Sequence, residues 1–412
     1  MSQAVVTSSP SSVRVRINRF VGLSASFALA AVTGLALTLD AFVESLNSAR
    51  LAAVILALFL LQLIRVPRFA FTRELALYAM FFSYMVIQLL WTDDLLLARN
   101  TIVPAAAFLL ILVQVGALAA YHDLRAVLGG VLAGNLIGAA YYTSTTGFPF
   151  AYPADFSYNA IASVYLFGFI VALLLSLYKR SSGPVLLIAL VLMLHIVATT
   201  SIKANLGIAL GTLAAGIFYF RHFARMLRRN AIALAALAGL LAIAVASNAE
   251  LLERLQSGMQ RVALGIEVLQ ARDNVAGYSA LDDRSEWLRE GLSGWALNPL
   301  FGHGVEAFRS RFGITSHSTP VDLLYNSGLA GFALFYGIFM AMTWRLLRAR
   351  RTGRTVDALL FGAVVCYVFI TMSGTMHYNS SLAAFIALGT AILRSHSPKP
   401  SQSENPPGAA RL

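Results

Sequence analysis

The residues best suited to chemistry gather in one polar interval, Asp282–Gly331, of a chain that is otherwise mostly apolar. Arg284 follows Asp282 and Asp283, so it reads either as half of a surface ion pair at a helix start, worth little, or as a clamp on an anion. Arg289, Arg309 and Arg311 are secondary candidates of the same kind, equally suited to solvent or to lipid phosphates. His317 stands just before a sequence with the form of a helix start. Thr319 would be the N-cap, Pro320 the first helical residue, and Asp322 the group reaching back to the cap. A helix N-terminus disfavours imidazolium, so His317 should stay neutral and ready to accept a proton near neutral pH. The plainer alternative is a polar residue that helps to close the helix end. Outside the interval, Lys203 sits in a tight link between two apolar runs. A cation at that depth is costly without a partner. It either holds phosphate as a point charge or snorkels to the headgroups.

The elements that must position these groups are membrane helices. Hydrophobic residues make up 58% of the 412 and charged residues only 12%, about half the share of a soluble domain. Apolar runs long enough to cross about 30 Å of hydrocarbon begin at Phe20–Leu39. They continue near 48–66, 73–91, 100–120, 124–143, 158–178, 184–202, 204–220, 230–248, 320–344, 355–376 and 379–394, about twelve in all. The fold class is therefore an all-α polytopic membrane protein. Its parts are a polar tail (1–19), nine spans (20–248), one large loop (249–319), three spans (320–394) and a Pro- and Ser-rich tail (395–412) expected to be disordered. With the N-terminus inside, 21 of the 31 Lys and Arg fall on the inner side. Both termini are thus expected in the cytoplasm and the large loop outside. Within that loop Glu250–Gln270 repeats its apolar residues at helical spacing, as an interfacial helix does. Ser285–Leu297 and Val305–Phe312 read as further helical runs, separated by the Asn298-Pro299 turn and by Gly302 and Gly304.

Several function classes drop out. The net charge of +12 sits at the ends of apolar spans, as orientation signals do, and not on a nucleic-acid-binding face. His303 and Glu306 have no companions at metal-ligand spacing, and His195 lies inside a span as a hydrogen-bonded core group. No phosphate-binding glycine loop or nucleophile elbow occurs.

The order Arg284, Trp287, Pro299-x-x-Gly302-x-Gly304-x-x-x-Phe308, His317, Leu323-Leu324 and Gly328-x-x-Gly331 resembles the O-antigen ligase and polymerase superfamily of bacterial membrane glycosyltransferases. Ser201-Ile202-Lys203 loosely resembles the setting in which that family places an Arg, and Ser318 stands where many relatives have Asn. The resemblance implies a GT-C-like fold in the bacterial inner membrane. It also implies a metal-independent, inverting transferase without cofactor, for lipopolysaccharide or exopolysaccharide. The donor would be a glycan on undecaprenyl diphosphate, and the acceptor a glycan or lipid A–core. His317 would be the catalytic base, and Lys203 and Arg284 would bind the diphosphate. The rival from another class is a lipid-linked glycan flippase or other polysaccharide transporter, which would carry ionisable groups within the bundle.

Overall fold

The computed structural model describes residues 10–42, 48–65, 71–148, 158–178, 183–199, 201–221, 279–350 and 354–395, with isolated positions between 224 and 260. Among the described residues no strand occurs. The helices are α1 (Pro10–Phe42), α2 (Ser48–Arg65), α3 (Arg73–Gln88), α4 (Leu95–Tyr121), α5 (Leu124–Thr146), α6 (Tyr158–Tyr178), α7 (Gly183–Ala198) and α8 (Ile202–Phe218). After the large loop begins come α9 (Ser279–Leu297), α10 (Ala307–Phe312), α11 (Thr319–Ala349), α12 (Thr355–Met372) and α13 (Ser380–Ser395). Helices occupy eleven of the expected spans. The one at 230–248 lies largely outside the described residues, as do the interfacial helix at Glu250–Gln270 and the two tails.

By length and apolarity, stretches in α1, α4, α5, α6, α11 and α12 suffice to cross a membrane, whereas α2, α7, α8 and α13 are apolar but shorter. The polytopic class stands on these helices. The helix starts are set by short polar side chains, as physics requires where four N–H groups lack partners. Asp94 Oδ1 accepts from Leu97 N at 2.8 Å, Thr72 Oγ1 from Leu75 N at 3.1 Å, and Asn379 Oδ1 from Leu382 N at 3.0 Å. Between spans the packing is close. A methyl group on Gly134 of α5 would lie 2.0 Å from the Ala31 carbonyl of α1, so only glycine permits this approach.

Successive helices run up and down, which sorts the hydrogen bonds to two ends. At one end Arg345 meets Glu74 at 2.8 Å, Tyr219 Oη donates to Leu346 O at 2.6 Å and Arg394 to Phe71 O at 3.2 Å. At the other, roughly 40 Å along α11, the start of α11, the large loop, the α3–α4 turn and the α12–α13 link converge.

The joint at that loop-bearing end is a break in α11. Gly328 has φ 61° and ψ −166°, a conformation open only to glycine. The backbone groups freed by the break are taken by the Pro299–Gly304 segment. His303 N and Gly304 N donate to Tyr325 O (3.0 Å) and Asn326 O (2.9 Å). In return, Leu329 N and Ala330 N donate to Pro299 O (2.8 Å) and Leu300 O (3.1 Å). From α3, Gln88 Nε2 reaches Phe301 O (3.1 Å) and Asn326 O (2.9 Å), while Tyr84 Oη sits between the carbonyls of Phe301 and Ser327. Gly302 (φ 68°) is pressed so close that a methyl group there would meet Asn326 O at 2.4 Å. The spaced glycines of the large loop and of α11 are thus two halves of one backbone exchange.

Candidate functional site

The start of α11 lies one residue earlier than its sequence suggests. Ser318 is the N-cap, without a side-chain cap bond, and Pro320 is the second helical residue. Thr319, freed from capping, ties α11 to the α12–α13 link. Its N–H and its Oγ1 both donate to Gly374 O, and its Oγ1 accepts from Met376 N at 2.8 Å. Asp322 does not reach the cap either. Its Oδ1 accepts from Ser316 N at 3.1 Å and its Oδ2 from Thr375 Oγ1 at 3.0 Å. Tertiary partners therefore outbid the local box.

His317 is held in this frame with φ 57°, left-handed for a residue with a side chain. Such backbone costs about 1–3 kcal/mol and persists where its surroundings determine it. The ring is exposed and lies 5.6 Å from that of Trp287 on α9. Trp287 in turn rests on the small core of Phe308, Val321, Tyr325 and Phe312 that joins α9, α10 and α11. Arg284 belongs to α9, which starts at Ser279 and not at Ser285, but the Arg284 side chain lies outside the described residues.

Lys203 comes to the same joint from another part of the chain. Ser201 caps α8 by accepting from Ala204 N at 3.4 Å and donates to Asn159 Oδ1 at 2.9 Å. Lys203, half-buried in the first turn, directs its ammonium to the α12–α13 link. A methyl group on Gly374 would lie 3.7 Å from Nζ. Gly374 is the residue whose carbonyl Thr319 holds, so Lys203 and His317 converge on one junction although 114 positions apart in the sequence.

Two carboxylates missing from the sequence-based set lie at this junction. Asp322 is buried, and so is Glu306, whose Oε1 accepts from Thr101 Oγ1 of α4. Burial raises the Glu306 pKa, while the Thr101 bond and Arg309 oppose the shift. The Tyr378 phenol is raised first by burial and then by the neighbouring Glu306 and Asp322, with Arg309 opposing, which places all four groups in one electrostatic neighbourhood. Glu306 is also left-handed, at φ 59°. A periodicity reading cannot find these groups, because their partners lie up to 205 residues away.

The remaining candidates are exposed or structural, with Arg309 acting electrostatically on Glu306. Arg309 and Arg311 are exposed on α10, Arg311 lying 5.6 Å over Phe312, and Arg289 reaches Glu290 at 4.0 Å on the exposed face of α9. His303 is structural. Its Nε2–H donates to Gly294 O (2.8 Å), and Nδ1 accepts from Asn298 Nδ2 (3.2 Å). His195 bonds Val191 O at 2.8 Å and lies 4.9 Å from the Tyr165 ring, as a core group does.

The arrangement offers an exposed imidazole, an ammonium aimed at a glycine-containing link and buried carboxylates fixing the turn between them. Residues 185–336, which contain Lys203, α9, His317 and the break at Gly328, match the family model described as O-antigen ligase. No match occurs among curated proteins.

Proposed function

We propose that this chain belongs to the O-antigen ligase/polymerase superfamily, whose model matches residues 185–336, and moves a glycan from undecaprenyl diphosphate to a sugar hydroxyl at the periplasmic face of the inner membrane. The observation that carries the reading is the convergence of Lys203 and His317 on the Thr319–Gly374 junction, at the end of the bundle away from the Arg-rich end. His317, exposed and braced against Trp287, takes the proton of the attacking hydroxyl. Its oxygen attacks the anomeric carbon and the bond to the diphosphate oxygen breaks with inversion. Negative charge builds on the leaving group, where a fixed cation stabilises the transition state more than the ground state. Lys203 supplies that cation at the junction, and Arg284 on α9 is the second candidate. The reaction draws its driving force from the diphosphate linkage, so no nucleotide is required, and the neutralising charges come from side chains without a metal ion.

Reconstitution tests this. Proteoliposomes are given a lipid-linked glycan with either lipid A–core or a second lipid-linked repeat unit, and products are resolved on gels. A product in the first arm identifies a ligase, in the second a polymerase. Translocation of the donor without any transfer would make the chain a transporter. Activity should survive EDTA; loss restored by one divalent ion would overturn the metal-free assignment.

A further inference from the structure

We infer that residues 297–301 of the large loop, together with the α3–α4 turn, form a shallow lipid-embedded foot in the leaflet on the loop-bearing side. A hydrophilic loop between spans is expected in water, yet this segment has the opposite character. Leu297, Leu300 and Phe301 are 72%, 59% and 61% exposed, and Leu90 and Trp91 at the α3–α4 turn are exposed as well. The two groups lie 200 residues apart in sequence but are locked together, because Tyr84 and Gln88 of α3 hold the Phe301 carbonyl and Thr92 Oγ1 accepts from Val305 N at 3.0 Å. Val86 and Ile87, near the end of α3, are exposed and apolar too.

Carbonyl bonding and the absence of charge together point to acyl chains as the occupant. Irregular backbone tolerates hydrocarbon only when its polar groups are satisfied by the protein. Each of four consecutive carbonyls meets that condition. Asn298 O accepts from Gly302 N, Pro299 O from Leu329 N and Trp295 Nε1, Leu300 O from Ala330 N, and Phe301 O from Tyr84 and Gln88. Between Gly291 and Val305 no Asp, Glu, Lys or Arg occurs, and the same holds from Leu75 to Thr92. Asp93 and Asp94 then mark the rim, and Trp91 lies at the level where amphipathic rings favour the interface. The foot stands on the same backbone exchange that braces the start of α11. It therefore sets the membrane boundary close to the candidate site.

The test is a fluorescent probe on a single cysteine. In the Cys366→Ala background, Leu300→Cys and, as a water-exposed control, Arg311→Cys are labelled with NBD and reconstituted in phosphatidylcholine vesicles. The Leu300 label should emit to the blue of the control, lose intensity to lipids bearing a nitroxide near the headgroup, and resist aqueous iodide. Quenching by iodide with no effect of the nitroxide lipid would overturn the proposal. So would blue emission insensitive to both quenchers, which would make the occupant a protein surface. If Leu300→Cys fails to fold, Leu90→Cys on the other half of the foot carries the same expectations.

Discussion

At the Arg-rich end, Arg345 spends its charge on Glu74, whose carboxylate is almost wholly buried, and Tyr219 pins the adjoining turn through Leu346 O. At the loop-bearing end the helices are joined instead by neutral donors: Thr319, Thr375, Gln88, Tyr84 and the backbone of the loop. Arg309 and Arg311 stay exposed there, and Lys203 faces the α12–α13 link. The contrast shows how one bundle divides its cations. Charged side chains hold helices together at one end, whereas hydroxyls, amides and loop backbone carry that task at the other.

The largest expected effect is at the loop-bearing end. His317→Ala should slow transfer by about 10²–10⁴-fold, the usual contribution of a general base, with unchanged yield and melting. The measurement is initial rate in matched proteoliposomes. Retention of most activity would reduce His317 to a helix-end fixture and move the search for a base to Asp282, Asp283 and Glu306.

Arg345→Met should do the reverse. It leaves Glu74 buried without its partner and should cost on the order of 3 kcal/mol of stability, with the turnover of folded protein intact. Adding Glu74→Gln should recover most of the loss in thermal melts. A large fall in turnover at unchanged stability would erase the proposed division between the ends.

His377 offers a pH signature confined to the loop-bearing end. It is fully buried among Phe81, Phe335 and Tyr378, and burial lowers its pKa from 6.5 to about 3. An unfolded chain takes up that proton below 6.5 and the folded one does not. Stability from this group is therefore complete above 6.5 and falls by about 1.4 kcal/mol per pH unit as pH drops toward 3. His377→Leu should flatten the acid side of a stability profile, and an unchanged slope would show that the imidazole is not held neutral.

The smallest effect is expected at Lys203. Lys203→Arg preserves charge and should keep transfer within a few-fold, or raise it if a planar fork fits the diphosphate; Lys203→Met should not. Equal rates for both variants would remove the ammonium from the mechanism.

Much of this division could be read from composition and order, and the unread part has a common cause. Apolar periodicity locates helices because burial in lipid acts on each segment separately, and the bias of Lys and Arg to one side follows the same logic. The cap falls at Ser318 and not at Thr319 because Gly374 and Met376, 55 and 57 positions away, compete for the Thr319 hydroxyl. The break at Gly328 was hidden because a Gly-x-x-Gly pair in an apolar run looks the same in a continuous helix. In the sequence Glu306 is a lone carboxylate and Asp322 has the place of a capping group. Their roles depend on Thr101, Ser316 and Thr375, which only the assembled bundle brings near. The family resemblance singles out His317 and Lys203; that they approach one junction is a property of packing.

The interruption of α11 also bears on how the chain is made. As α11 emerges during synthesis, its ladder has a gap whose amides and carbonyls must find partners before they meet hydrocarbon. Every partner, from Tyr84 and Gln88 to Pro299, Leu300, His303 and Gly304, precedes Gly328 in the chain. All have been synthesised when the gap appears. The half beyond the break, 329–349, is long enough to span alone at about 20 residues and can pair with partners that have already been made. Had the cradle been encoded downstream, that half would wait in the bilayer with bare backbone. The order of residues along the chain is thus also an order of insertion.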